Sequence, residues 1–265
     1  MESTISTVGK KIKLWKKILI AMLSLLLVAI IIFFVWASQV SNAEQVKLQA
    51  FFDQNGNSVI INEYPSYWEI APKTNDCTDE DCLKTLATGV IFYPGAKIDP
   101  RAYFYKLDFL TNGKPFKAKL FITKPPLRLA FFGINQADEI LKKNPDIKKW
   151  ILGGHSLGGA MSCEYAKSHT DKITELLLIG AYCGSSLHDT NLKVISIHGS
   201  LDGVLTPQKI AYNKKNLPDS VRDFIISGMN HAEVGNYGDQ SGDKPATKAD
   251  EEVKIEIMDI LKNEI

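Results

Sequence analysis

Hydrophobic and polar positions divide the chain into two unlike parts. From Ile18 to Ala37 the sequence runs for twenty residues without a charge and with one hydroxyl, Ser24. As a helix, such a run reaches about 30 Å, the hydrocarbon thickness of a bilayer. A core helix is a poor reading, because a domain this small offers no partner able to cover all of its apolar faces. Lys10, Lys11, Lys13, Lys16 and Lys17 precede the run, and Trp15 and Trp36 bracket it. Lysines on one flank predict that this end is cytoplasmic, and the tryptophans suit the two interfaces. The pattern therefore reads as a basic cytoplasmic segment at 1–17, a transmembrane helix at 18–38 and an extracellular domain at 44–265. A cleaved signal peptide is the competing expectation, since Ser41-Asn42-Ala43 places small residues where a signal peptidase prefers them; the domain would then be secreted after cleavage near Ala43. Length favours the anchor, because the apolar core of a signal peptide is usually about 7–15 residues.

Beyond residue 44 the pattern alternates between short apolar runs and helical spacing. Val46–Phe52 and Ser58–Glu63 read as strands joined through Asp53-Gln54-Asn55-Gly56-Asn57, a hairpin signal, with Tyr67–Ile70 continuing the meander. Gly89–Tyr93 is a continuous apolar run typical of a buried strand, ended by Pro94-Gly95, and Pro100 onward reads as a helix. Ala118–Ile122 is the next strand. Leu127, Ala130, Phe131, Ile134, Ala137 and Leu141 then follow at helical spacing, with Arg128, Gln136, Glu139 and Lys142 on the opposite face. Further strands are expected at Trp150–Leu152, Glu175–Ile179, Lys193–Ile197 and Arg222–Ile226, a helix opening at Thr206-Pro207, and a last helix from about Ala249. Strands separated by helices predict an α/β fold, a mostly parallel sheet covered on both faces.

Charge and cysteines narrow the picture. The chain has 31 Lys+Arg against 30 Asp+Glu; without the five N-terminal lysines and Glu2, 26 basic and 29 acidic residues remain. That balance gives no footprint for nucleic acid. Cys77 and Cys82 lie in the acidic stretch Asn75–Cys82, where they either close a small loop in an oxidising compartment or stay as thiols. No second Cys or His pair stands at zinc-ligand spacing. Cys163 and Cys183 fall where a helix and a strand pack, and read as buried free thiols.

The chemistry concentrates in Gly154-His155-Ser156-Leu157-Gly158, set between the apolar Trp150-Ile151-Leu152 and the small residues Gly159-Ala160-Met161. This is G-x-S-x-G in a strand–turn–helix context, the nucleophile elbow of serine hydrolases. A nucleophilic serine needs a base, and the base needs an orienter. His198-Gly199-Ser200-Leu201-Asp202 follows one apolar strand and Gly228-Met229-Asn230-His231 follows the last. Ser156, Asp202 and His231 therefore meet at the carboxyl ends of the strands as nucleophile, orienting acid and general base. Asp189, on the loop after the preceding strand, is the alternative acid. His155 is expected to point away from the nucleophile, His169 to lie in a solvated turn, His198 to pack at a strand end and His188 to serve at the surface. For the oxyanion, the spacing selects the backbone N–H of Leu157, just after the nucleophile, and that of Ala96, in the Pro94-Gly95 loop.

Residues from about Thr88 to the C-terminus resemble a bacterial serine-hydrolase branch of the α/β-hydrolase superfamily. The resemblance rests on Gly89–Ala96 with Asp99-Pro100-Arg101-Ala102-Tyr103, on Gly153–Met161, and on Gly228–Ala232 with Gly235-Asn236-Tyr237-Gly238. It implies about eight strands with one antiparallel, and neither metal nor organic cofactor. Residues 44–87 resemble that family only loosely, and the anchor is an addition to it. Lid domains in this superfamily usually follow the strand that ends near Ile179; here only Ala181 to Asn191 separates that strand from the next, so an open cleft without a large cap is expected. The expected function is hydrolysis of a carboxylic ester through an acyl-enzyme. The bilayer is a partner through the N-terminal helix. The alternatives are an acyltransferase or amidase with the same triad, or a surface binding module that kept the fold without the chemistry.

Overall fold

The computed structural model describes residues 2–73, 86–112 and 116–265. The chain up to Gln39 forms one compact unit and Val40–Ile265 another. In the first, helix α1 covers Glu2–Ser38, and its stretch Leu14–Ser38 is long and apolar enough to cross a bilayer, a test that a signal sequence also passes.

A sheet of eight strands organises the second unit. Its strands are β1 (Val59–Glu63), β2 (Tyr67–Pro72), β3 (Thr88–Tyr93), β4 (Lys119–Thr123), β5 (Lys149–His155), β6 (Glu175–Ile179), β7 (Lys193–Gly199) and β8 (Arg222–Ile226), in the spatial order β1-β2-β4-β3-β5-β6-β7-β8. β2 is antiparallel to both its neighbours and every other pair is parallel, so one strand alone runs against the rest, as the family resemblance implied. The central strands read as continuous apolar runs because both faces are covered. Alternate residues feed two cores: Val90 and Phe92, with Leu177 and Ile179, enter one, while Ile91 and Tyr93, with Leu176 and Leu178, enter the other. The first core is closed by α2 (Gln45–Asn55), α3 (Phe104–Leu107), α4 (Phe109–Asn112) and the C-terminal helix α8 (Asp250–Glu264); the second by α5 (Gln136–Lys143) and α6 (Leu157–Lys167). Each fully buried Leu, Ile, Val or Phe contributes about 1.5–3 kcal/mol to the fold. A further helix, α7 (Pro207–Asn213), starts at the expected Thr206-Pro207.

Three expectations require correction. Val46–Phe52 is not a strand but the body of α2, which buries Leu48, Phe51 and Asn55 at spacings of three and four. Phe51 packs on Phe104 with ring centroids 5.3 Å apart, a contact the sequence could not show. The hairpin through 53–57 is therefore absent. β1 instead turns directly into β2, where Tyr64 N–H donates to Tyr67 C=O at 2.9 Å. The helical spacing from Leu127 to Leu141 yields a helix only from Gln136. Leu127 and Arg128 both adopt φ 54°, the left-handed region that ends any helix, and Leu127, Phe131 and Phe132 are exposed.

The third correction concerns Cys163 and Cys183, which form a disulfide with a Cα–Cα distance of 5.5 Å. Cys163 lies on α6 and Cys183 on the connection after β6; both are buried in the same core, which brings them within bridging distance. Cys77 and Cys82 lie outside the described residues. The bridge closes a loop with a sequence separation of 20, worth about 3 kcal/mol in the chain-entropy account. Cys163→Ala and Cys183→Ala should each lower the thermal midpoint by roughly 6–12 °C, and by equal amounts. Melting curves that do not shift would show that the bridge contributes no stability.

Candidate active site

Ser156 occupies the turn between β5 and α6 with φ 52° and ψ −121°. A non-glycine residue held there costs on the order of 1–3 kcal/mol, and the surrounding close packing enforces it. A Cβ on Gly158 would lie 2.0 Å from the Tyr93 carbonyl oxygen and 2.4 Å from that of Pro94. The first turn of α6 therefore sits directly against the end of β3. That approach sets the Leu157 N–H and the Pro94–Ala96 loop side by side. Leu157 is the first residue of α6, where an N–H has no intrahelical acceptor. The Ala96 N–H has no hydrogen-bond acceptor among the described residues.

Asp202 and His231 come together as the spacing predicted. Asp202 is fully buried, and its Oδ2 accepts from His231 Nδ1 at 2.7 Å. Its Oδ1 accepts from the backbone N–H groups of Val204, at 2.9 Å, and Leu205. A carboxylate so engaged fixes the imidazole with its proton on Nδ1 and its lone pair on Nε2. His231 Nε2 is buried and makes no hydrogen bond among the described residues. Ser156 and His231 line the same cleft of about 270 Å³, whose other walls include Leu157, Ala181, Tyr182 and Leu205. The short connection from β6 to β7 contributes two of those walls and carries no cap.

The other candidates lie elsewhere. Asp189 and His188 are exposed and do not line the cleft. His169 Nδ1 donates to the Tyr165 carbonyl, 2.8 Å away, and its ring stacks on that of Tyr165. His198 packs at the strand end 3.5 Å from Asp223. His155 has neighbours that the motif does not reveal. It is buried beside His231, with ring centroids 4.6 Å apart. Its Nδ1 lies 2.8 Å from the Tyr103 hydroxyl, which accepts from Gly95 N–H at 2.9 Å. One hydroxyl thus links the loop bearing Ala96 to the histidine preceding the nucleophile.

Sequence reasoning also missed Asp243. Its Oδ1 accepts from Gly203 N–H and its Oδ2 from Ala232 N–H, both at 2.9 Å. The carboxylate clips the residue after Asp202 to the residue after His231. Nothing in a Gly242-Asp243 turn signals this, because the partners lie 40 and 11 residues away. Among the described residues no cluster of three or more His, Cys, Asp or Glu side chains could hold a metal.

Comparison with known proteins places the fold and the family. Residues 89–255 match a family model described as the alpha/beta hydrolase family. No curated protein matches the sequence. Among solved structures, a predicted CIB-like hydrolase from Thermoplasma acidophilum superposes with a TM-score of 0.56 at 14% identity, covering 77% of this chain and 99% of that one. MGS-MChE2, an alpha/beta hydrolase from the metagenome of Mar Chica lagoon sediments in Morocco, gives 0.55 at 14% identity over 77% and 98%. A monoacylglycerol lipase from Paleococcus ferrophilus gives 0.51 at 14% over 67% and 95%. At such identities the likeness is one of fold.

The buried histidines make stability depend on pH. Burial holds His155 well below its ordinary value of 6.5, and the adjacent His231 lowers it further. Burial also lowers His198, against the opposing pull of Asp223. The unfolded chain takes up protons near pH 6.5 that the folded chain refuses, so stability is complete above that pH and is lost as pH falls below it. The urea midpoint should hold between pH 7 and 8. It should then fall toward pH 5, with a limiting slope of about 1.4 kcal/mol per pH unit for each such histidine. His155→Gln should remove its share of the slope and keep that of His198. An undiminished slope in this variant would mean that the imidazole of His155 is not the source.

Proposed function

The chain belongs to the alpha/beta hydrolase family, and on that footing we propose that it is a serine hydrolase of carboxylic esters, anchored by its N-terminal helix with the catalytic unit outside the cytoplasm. The observation that carries the chemistry is the buried Asp202–His231 hydrogen bond, which leaves His231 Nε2 unpaired in the cleft that Ser156 also lines. In this reading His231 Nε2 takes the Ser156 proton as Oγ attacks the ester carbonyl. The oxygen of the tetrahedral intermediate takes its negative charge between the N–H groups of Leu157 and Ala96. The intermediate collapses, the alcohol leaves with the proton held by His231, and an acyl-enzyme remains. Water then attacks the acyl-enzyme with His231 again as base, releasing the acid and restoring Ser156. Asp202 stabilises the imidazolium at each step without taking its proton.

Two features support the ester and the compartment. The cleft is small and mostly apolar, which suits an acyl chain, and no cap stands between β6 and β7 to be opened. The Cys163–Cys183 disulfide fits an oxidising compartment, agreeing with the topology expected from the five lysines.

Ser156→Ala and His231→Ala should each lower kcat for 4-nitrophenyl esters by a similar factor, on the order of 10⁴ or more, and the double variant should add little, because the two act as one unit. Asp202→Asn should cost less than either. Full turnover by a folded Ser156→Ala protein would end the mechanism. A fluorophosphonate probe should label Ser156 in the wild type and nothing in that variant.

Topology has its own test. Protease added to intact cells should digest the catalytic unit and spare the N-terminal segment. Protection of the unit until the membrane is breached would invert the orientation, and a mature protein beginning at Glu44 would replace the anchor with a cleaved signal.

A further inference from the structure

A second cleft, of about 470 Å³, opens at the same edge of the sheet, lined among others by Glu63, Trp68, Asp99, Arg101, Lys124 and Arg128. Its residues follow the ends of β1, β3 and β4 and precede β2, the strand that runs the other way, so they converge at the edge that carries Ser156. Three cations face two carboxylates. Asp99 is buried and is taken by Arg101, with Nη2 at 2.6 Å and Nε at 3.1 and 3.2 Å. Burial raises the Asp99 carboxyl, but the Arg101 hydrogen bonds and charge outweigh it and hold the group below its usual range. Lys124 pairs with Glu63 at 2.5 Å and lies over the Trp68 ring. Arg128 is the cation left over. Its Nη2 stands 3.9 Å from Asp99 Oδ2, and its Nη1 is buried with no hydrogen-bond partner among the described residues.

The Arg128 side chain is nevertheless one-third exposed, and with its nearest carboxylate oxygen 3.9 Å away its outer N–H groups remain open to a ligand in the cleft. The backbone presenting it is also unusual. Only four non-glycine described residues adopt positive φ: Ser156, and Lys97, Leu127 and Arg128. Of the last two only Arg128 lines the cleft, and Lys97 N–H donates to the Arg128 carbonyl at 2.7 Å. Lys97 directly follows Ala96, so the strained turn under Arg128 is tied to the loop that supplies an oxyanion donor. Backbone strain retained at two places, the elbow and this turn, marks both as built for a purpose other than stability.

We propose that this cleft binds a phosphate group, and that the phosphate belongs to the ester whose acyl bond Ser156 attacks. A carboxylate would be satisfied by a single fork. Here Arg128 supplies the free guanidinium, while Arg101 and Lys124, already paired with Asp99 and Glu63, add positive field around the same open cleft, an arrangement that suits the several oxygens of a phosphate. The excess of one positive charge matches a phosphodiester. From Ala96 to Asp99 the chain spans at most about 10 Å, so the anion site and the oxyanion loop lie within the reach of one small molecule. Assigning the phosphate to the substrate rests on the serine-hydrolase reading above; binding of phosphate does not.

The test separates the two. The full chain in dodecyl maltoside, carrying Ser156→Ala so that nothing turns over, is titrated calorimetrically with sn-glycerol 3-phosphate and with micellar phosphatidylglycerol. A phosphate-free galactolipid is the control. At least one phosphate probe should bind and the galactolipid should not; the stronger of the two identifies a soluble or a lipid source. Arg128→Gln should weaken binding at least tenfold and Arg128→Lys should restore part of it. Arg101→Gln serves if the Arg128 variant does not fold. Absence of phosphate binding, or wild-type binding by folded Arg128→Gln, overturns the proposal. In the Ser156 protein, the ratio of kcat/KM for an acylated glycerol phosphate to that for 4-nitrophenyl butyrate should fall at least tenfold in Arg128→Gln, and an unchanged ratio would overturn the assignment of the phosphate to the substrate. If neither ester is turned over while phosphate still binds, the hydrolase reading fails and the anion site stands.

Discussion

A carboxylate with no exposure to water is tolerable only when its lone pairs are occupied, and Asp202 meets that condition in one way. One oxygen takes the His231 imidazole and the other takes two backbone N–H groups of its own loop. Every element around the site follows from that arrangement. The loop after β7 must fold back tightly on Asp202, and the loop after β8 must deliver an imidazole from the other side. The two loops must also hold register to a few tenths of an ångström. Asp243 keeps that register by clipping both, and the backbone approach of Gly199 to Met229, where a Cβ would stand 2.2 Å from the carbonyl oxygen, shows how little room remains between them.

Opposite this pair stands a second set of constraints, on the Ser156 side. Ser156 is held in its strained turn by contact of α6 with the end of β3, and His155 and Tyr103 fill the space beneath. The Tyr103 hydroxyl joins the oxyanion loop to His155, and His155 in turn packs on His231. Ser156, His231 and the Pro94–Ala96 loop are thus connected by a continuous set of buried contacts rather than by separate loops meeting in solvent. The disulfide from α6 to the cleft wall extends the same rigid body outward.

Much of this was legible in the sequence because the relevant signals are local. Continuous apolar runs placed β3, β6, β7 and β8 within one or two residues, and the elbow motif carries its own turn geometry in five residues. The order Ser156, Asp202, His231 follows from which strand ends are followed by acidic and imidazole side chains. What stayed hidden depends on partners distant in sequence. Val46–Phe52 has the composition of a strand and becomes a helix because Phe51 finds Phe104. The spacing from Leu127 to Leu141 suits a helix, yet the left-handed turn at Leu127 and Arg128 breaks it, and no propensity foretells that turn. Cys163 and Cys183 looked like core thiols because their pairing depends on how two elements dock. Asp243 belongs to no motif, and His155 sits at a variable position of one, so their partners appear only once the loops are brought together.

Lys106 carries a consequence for how the chain is made. Its side chain is wholly buried, and its counter-ion is Asp250, whose carboxylate lies 2.6 Å away at the start of α8. Asp250 also pairs with Lys47 on α2, again at 2.6 Å. A polypeptide emerging from its N-terminus therefore presents Lys47 and Lys106 long before the residue that neutralises them. Without that helix, closing the core over Lys106 would bury an ammonium without its counter-ion or force it to give up its proton, and either is costly. The first core therefore closes at least cost once α8 is present. One carboxylate at the start of the last helix thus neutralises two lysines, from α2 and α3, that precede it by some 200 and 140 residues.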